Sequence, residues 1–269
     1  MLAETAPDPR EGILGRCSQY TDPAEAAGRD ALFDSEERHD AVARVLATQG
    51  ADLYARLHVE RYEFAASLTK GLRVLDCACG AGYGSWIMSL HGAPSVLGVD
   101  LDRATIEYAD RYYRRSPSVA FRRGDALALS DLIEDDVDCV VSFETLEHLP
   151  QPQVFLDQVQ ALLRRTDGML VVSSPPPRRW STNPYHLAEW PLRVFASEIS
   201  RRFGEVELFA ELAGRRRPLR ELAKALGAKG REWVERPVGI RPLSQLGRLG
   251  PYITRISTYL AIAKHPTLA

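Results

Sequence analysis

Two stretches of this 269-residue chain place reactive residue types at spacings that could do chemistry. The first is Val74-Leu75-Asp76-Cys77-Ala78-Cys79-Gly80-Ala81-Gly82-Tyr83-Gly84. Its glycines read G-x-G-x-G. Glycine lets the backbone turn with positive φ and lets a ligand approach the main chain. A helix opening behind such a turn offers unpaired N–H groups to an anionic ligand group. A second acid, Asp100, stands 24 residues after Asp76 and 20 after Gly80. At the end of the next strand, that carboxylate would suit hydrogen bonds from both hydroxyls of a ribose. The second stretch is Glu144-Thr145-Leu146-Glu147-His148, an E-x-x-E-H pattern. Its three ligand-type side chains, Glu144, Glu147 and His148, could converge on one ion where the chain turns. Two carboxylates and an imidazole would suit Mg²⁺, Mn²⁺ or Zn²⁺, with the carboxylates favouring the harder ions. Such an ion could orient and acidify two adjacent hydroxyls. A further histidine, His186, lies 38 residues past His148, among Trp180, Tyr185, Glu189 and Trp190.

These residues need a scaffold, and the apolar pattern predicts one. Leu72–Asp76, Ser95–Asp100, Ser118–Arg122, Val137–Phe143 and Met169–Ser173 read as strands. Helices are expected over about Tyr83–His91 and Arg103–Arg114, and after Pro152, which suits a first helical turn. In the helix after Pro152 the expected apolar face is Val154, Phe155, Val159, Leu162 and Leu163. Strands alternating with helices imply right-handed βαβ units and a mainly parallel sheet. Strands as apolar as Val137–Val141 suit a sheet covered on both faces. Further along, Val194–Phe203 reads as a helix, and Glu205–Phe209 and Ile253–Ala263 as strands. The expected fold is therefore α/β, a Rossmann-like doubly wound sheet of about seven strands with helices on both faces.

The flanking regions differ from this core. Residues 1–30 lack a sustained period and read as an arm. Ser35–Leu68 reads as two helices punctuated by Gly50, with Val42, Val45, Leu46, Leu53, Leu57, Phe64 and Leu68 as apolar positions. The division expected is an arm and helices over 1–60, a core over 61–211, a basic inserted lid over 212–251 and a final core strand over 252–269. Segment 212–251 is too long for a simple turn.

Composition narrows the function classes. The chain is 45% apolar and 26% charged, which excludes collagen-like and wholly disordered proteins. No apolar run approaches the ~20 residues of a membrane span. The first residues, MLAETAPDPREG, lack the basic and apolar regions of a secretory signal. Four cysteines form no disulfide framework, and Cys77 and Cys79 lack CxxC spacing. A cytoplasmic location is expected. The net charge of −2 argues against bulk nucleic-acid affinity. Charge is unevenly spread, however: residues 1–70 hold 8 Lys/Arg and 13 Asp/Glu, and residues 212–249 hold 10 and 3. The basic segment is either a solvated surface or a partner for anionic groups.

In order and spacing, the segments VLDCACGAGYG, VLGVDLD, RRGDALAL and CVVSFETLEHL resemble the class I S-adenosylmethionine (SAM)-dependent methyltransferases over about residues 60–175. The resemblance implies SAM as cofactor. Asp76, Gly80 and Gly82 would line its methionine end, with Ala78 and Tyr83 in the same site. Asp100 would hold the ribose, Leu101 would pack on the adenine, and Asp125 and Ala126 would meet the adenine edge. The E-x-x-E-H segment would lie near the methyl group. It is similar to that of ubiquinone-pathway O-methyltransferases. It is also similar to that of small-RNA 2′-O-methyltransferases, where a further histidine completes a metal site.

Three roles stay open for Glu144, Glu147, His148 and His186: metal ligation, metal-free catalysis with His148 as base, and structure. Tyr20 and Tyr62 are weaker candidates for lid or cofactor contacts. The expected activity is methyl transfer to a small-molecule acceptor, most simply at oxygen. Arg215, Arg216 and Arg217 would pair with an acceptor bearing phosphate or carboxylate. Alternatives are N- or C-methylation of such an anionic metabolite, RNA methylation, and a non-catalytic SAM-binding module. The sequence sets no oligomeric state.

Overall fold

A computed structural model describes residues 53–177, 185–212, 215–218 and 256–267. The chain divides into two compact units, Met1–Ala126 and Leu127–Ala269. Both follow the expected α/β plan, and the fold class is Rossmann-like. Among the described residues no helix is long and apolar enough to cross a membrane.

In the first unit, α1 (Leu53–Leu68) precedes β1 (Arg73–Cys77), α2 (Tyr83–Leu90), β2 (Ser95–Asp100), α3 (Arg103–Tyr113) and β3 (Val119–Arg123). The strands hydrogen-bond in the order β3-β2-β1, and both pairings are parallel. Parallel neighbours require a crossover between them, and α2 and α3 supply it. Their registers set Asp76 opposite Gly98, and Asp100 opposite Arg123. Helix α3 starts where Asp102 Oδ2 accepts the Thr105 N–H at 2.8 Å. That cap satisfies one orphan donor and contributes about 1 kcal/mol.

The buried face of α1 differs from the expected leucine positions. Val59, Tyr62, Ala65 and Ala66 are buried, whereas Phe64 and Leu68 are half-buried. Small residues and one ring line the side that packs on α2.

The second unit holds α4 (Leu129–Leu132), β4 (Cys139–Ser142), α5 (Pro152–Leu163), β5 (Met169–Ser174), α6 (Leu192–Ser200), β6 (Phe203–Leu212), β7 (Arg215–Pro218) and β8 (Ile256–Pro266). Its strand order is β4-β5-β8-β6-β7. The β4–β5 pair is parallel and the other three pairs are antiparallel. Phe155, Leu156, Val159, Leu162 and Leu163 of α5 are buried, as the period predicts, and Val154 is half-buried. Strand β6 begins at Phe203, the expected end of the preceding helix, β8 runs on past Ala263 to Pro266, and two further strands differ in kind from expectation. Strand β4 stops at Ser142, because Glu144 turns out of line at φ +52°. Strand β7 lies where an inserted lid is expected. A run of three arginines carries no alternating apolar signal, and it is backbone pairing with β6 that makes the strand. The rest of the expected lid and residues 1–52 lie outside the described residues.

Candidate functional site

The glycine-rich turn is built in the first unit from β1, β2 and α2. Asp76, buried in β1, is held at both carboxylate oxygens. Tyr62 Oη donates to Oδ1 at 3.1 Å and Ser85 Oγ to Oδ2 at 2.6 Å. Burial raises the Asp76 pKa to about 7, although both hydroxyl bonds oppose the rise. After Cys77 the backbone bends through Ala78 at φ +60°, Gly80 at +53° and Gly82 at +90°. Gly82 needs its missing side chain twice over. A Cβ there would lie 2.6 Å from the Ala109 Cβ and 2.7 Å from the Phe121 ring. At Gly80 the situation is reversed, since an added Cβ would meet nothing within 4 Å. The bend therefore leaves open space above bare backbone, as a ligand cradle requires.

Asp100 locks the rim of this cradle. Its Oδ2 accepts the Gly80 N–H and its Oδ1 the Asp102 N–H, both at 3.0 Å. Burial raises its pKa, and those N–H groups partly offset the rise. Each carboxylate oxygen keeps capacity for a second donor, which a ribose diol would supply. Gly124 N–H donates to the Asp100 carbonyl at 2.9 Å, and Arg123 Nε to the Leu101 carbonyl at 3.0 Å. These bonds tie the end of β3, just before Asp125 and Ala126, to the end of β2 at Asp100 and Leu101. Tyr83 differs from the others: its ring is buried against Tyr62 and Tyr113 at centroid distances of 5.6 and 6.4 Å. Its place in the cradle is at the backbone that starts α2.

The second unit gathers the E-x-x-E-H segment. A short 3-10 turn, Leu146–His148, follows β4, and Glu147 and His148 are both buried. The Glu147 carbonyl accepts the N–H groups of Leu187 and Ala188 at 2.6 and 3.1 Å. That clasp brings His186 to the cluster. The His148 and His186 rings stand edge to face at 4.9 Å. One ligand atom each from Glu147, His148 and His186 lies within 4.8 Å of the others.

Both imidazoles are oriented through Nδ1, His148 to the Tyr185 carbonyl at 2.9 Å and His186 to Glu189 Oε1 at 2.7 Å. A carbonyl can only accept, so His148 carries its proton on Nδ1 and keeps the Nε2 lone pair. Nε2 lies 3.8 Å from Glu147 Oε1. Burial lowers the His148 pKa to about 4, and the neighbouring His186 adds to the effect. The ring is therefore neutral at physiological pH. A metal-binding histidine has this arrangement: a lone pair on one nitrogen and an anchored N–H on the other.

Glu144 is held apart from that trio. Its carboxylate Oε1 accepts from Ser173 Oγ at 2.8 Å and Thr258 Oγ1 at 3.1 Å. Its own N–H donates to Ser173 Oγ at 3.1 Å. The three-ligand cluster is thus Glu147, His148 and His186, in place of the expected Glu144, Glu147 and His148. Glu189, as the His186 anchor, was signalled only by its spacing of three residues. Ser173 and Thr258 gave no signal. Tyr20 and Trp180 lie outside the described residues, and of Arg215–Arg217 only the strand is described.

Residues 75–172 match the family model described as a methyltransferase domain. A probable S-adenosylmethionine-dependent methyltransferase of Mycolicibacterium smegmatis is 34% identical over 140 residues, 50% of this chain and 52% of that protein. A ubiquinone biosynthesis O-methyltransferase of Pseudomonas putida is 37% identical over 97 residues, 36% of this chain and 41% of that one. The chain thus spans about half or less of the curated relatives it matches. The N-methyltransferase NodS of Bradyrhizobium japonicum, solved with S-adenosyl-L-homocysteine (SAH), shares the fold. Its TM-score is 0.56 at 16% identity, covering 97% of this chain and all of that one.

Proposed function

We propose that the chain is a class I SAM-dependent methyltransferase that binds SAM in the Asp76–Asp100 cradle and transfers its methyl group to a small-molecule acceptor, at oxygen. The observation that carries the cofactor half is the paired geometry at Gly80, open space above the bend and the Asp100 carboxylate bonded to its N–H. The residues fit the group. Asp76, Ala78, Gly80, Gly82 and Tyr83 form the methionine end, Asp100 the ribose contact, and Leu101, Asp125 and Ala126 the adenine side. When bound, SAM supplies a methyl already activated on a sulfonium. The chain's own residues need only orient the acceptor, exclude water and move a proton; positioning alone contributes about 7–11 kcal/mol to such a reaction. Calorimetric titration with SAH tests the reading. The unaltered chain should bind, and Asp100→Ala should lose most of the affinity. Failure of the unaltered chain to bind SAH would end it.

For the acceptor half, we propose that Glu147, His148 and His186 hold a divalent cation that meets the acceptor oxygen. The support is the pair of adjacent rings, one buried and one half-buried, each anchored at Nδ1, with a ligand atom of each within 4.8 Å of the Glu147 carboxylate. Two imidazoles with one carboxylate suit Mn²⁺ or Zn²⁺ better than Mg²⁺. Such an ion would lower the acceptor hydroxyl's pKa. Glu144, bonded by Ser173 and Thr258, would orient the acceptor.

A second reading keeps His148 as a metal-free base. Its neutral ring favours that role, but a base whose pKa is about 4 is a weak one for a neutral hydroxyl. The similarity to a ubiquinone biosynthesis O-methyltransferase supports oxygen as the acceptor atom under either reading. Chelator treatment separates the two. The metal reading expects activity to vanish and to return with Mn²⁺ or Zn²⁺; full activity after exhaustive chelation leaves the base.

A further inference from the structure

Tyr62 lies on α1, upstream of the segment that matches the methyltransferase family. It is buried, and its ring is seated from several sides. Tyr83 meets it edge-on, and His58 stacks at a tilt with centroids 6.4 Å apart. Gly84 completes the seat, because a Cβ at that position would overlap the Tyr62 ring. The seat fixes where the hydroxyl points, and it points at Asp76 Oδ1. Asp76 is fully buried, so its charge depends on the few donors that reach it. One donor, Ser85, comes from α2 inside the cofactor loop's own helix. The other comes from α1, which belongs to no cofactor motif.

We propose that Tyr62 is a positioning residue for the cofactor: its hydroxyl holds the Asp76 carboxylate ionised and oriented beneath the glycine turn, and so sets the affinity for SAM. The proposal rests on the cofactor reading above. The charges around Asp76 give it a measurable signature. Asp76 faces Tyr62 from α1, Ser85 from α2 and the Asp100 carboxylate from the end of β2. The thiols of Cys77 and Cys79 lie beside it, pushed upward by burial and by the two acids. Burial and Asp100 favour the protonated carboxyl, whereas Ser85 and Tyr62 favour the ionised one, with a balance at about 7. Removing the Tyr62 donor must move that balance upward. The ionised form then predominates only at higher pH.

The test is calorimetric titration of the full chain with SAH from pH 6 to 9. In the unaltered chain the affinity should weaken as pH falls through about 7. Tyr62→Phe removes one oxygen and keeps the ring. It should weaken SAH binding about tenfold at pH 7.5, the scale of one hydrogen bond to a charged group. It should also shift the break in affinity to higher pH. Gly84→Ala keeps the hydroxyl but displaces the ring, and it should act in the same direction. A purely structural tyrosine would lower the melting temperature and leave both the affinity and the break in place.

Either variant folding with unchanged affinity and an unchanged break would overturn the proposal. So would loss of the fold in both, which would make Tyr62 scaffold alone. If the unaltered chain itself fails to bind SAH, the cofactor reading falls first. The proposal fails by itself when the unaltered chain binds and either variant matches it, or both variants lose the fold.

Discussion

At the level of single residues, what the sequence reveals depends on how local the chemistry is. The glycine turn and Asp100 were legible because their geometry comes from the backbone of one short segment and the strand beside it. Gly82 at φ +90° and the Gly80–Asp100 bond both follow from that pattern. The E-x-x-E-H cluster was legible only in part. Nothing in its spacing says that Glu144 is captured by Ser173 and Thr258, residues 29 and 114 positions away. Nor does the spacing tell that a carbonyl of Glu147 clasps the loop carrying His186. Two substitutions test the trio, one for its part in the reaction and one for metal ligation. His148→Ala should lower kcat by about 10²–10⁴ whether the ring is a base or a ligand. Glu189→Ala should weaken Mn²⁺ or Zn²⁺ binding about ten- to hundredfold, because it frees the anchored nitrogen of His186. Metal titration of the two variants gives the answer. Equal metal affinity in Glu189→Ala and the unaltered chain would remove Glu189 from the site.

At the level of elements, apolar period placed most strands and helices to within a few residues, and failed where something other than side-chain burial builds the element. Strand β7 is held by backbone pairing. Helix α1 turns a tyrosine and two alanines inward because its neighbour presents Gly84. Helix α5 shows a further case. Its Gln160 is buried on an otherwise apolar face, and Nε2 donates to the Arg202 carbonyl at 3.0 Å and to the Thr267 carbonyl at 2.9 Å. One amide thus ties α5 to the end of α6 and to the residue after β8. Arg202 is itself fixed by Asp157 and Glu198 at 2.6 and 3.0 Å. Gln160→Ala removes one donor from each carbonyl, while Arg164 Nε still donates to the Thr267 carbonyl at 2.7 Å and the Thr267 N–H to the Arg202 carbonyl at 2.8 Å, and it should cost about 1 kcal/mol of stability. Thermal melting should register the loss. A melting temperature equal to that of the unaltered chain would mean that water replaces the amide at no cost.

For the whole molecule, the alternation of strand and helix announced the fold class, since parallel neighbours demand crossovers. What it could not announce is the order in which the later strands pair. Strand β8, the last of the described strands, lies between β5 and β6, hydrogen-bonded to both. A ribosome releases β5, β6 and β7 well before it releases β8. Until then, among the described strands, the β6–β7 pair has no partner on one side and β5 has none on the border that β8 fills. Two sticky edges wait for a single late arrival to zip between them, so the nascent chain passes through a stage at which another copy, or a chaperone, can take the empty lane first.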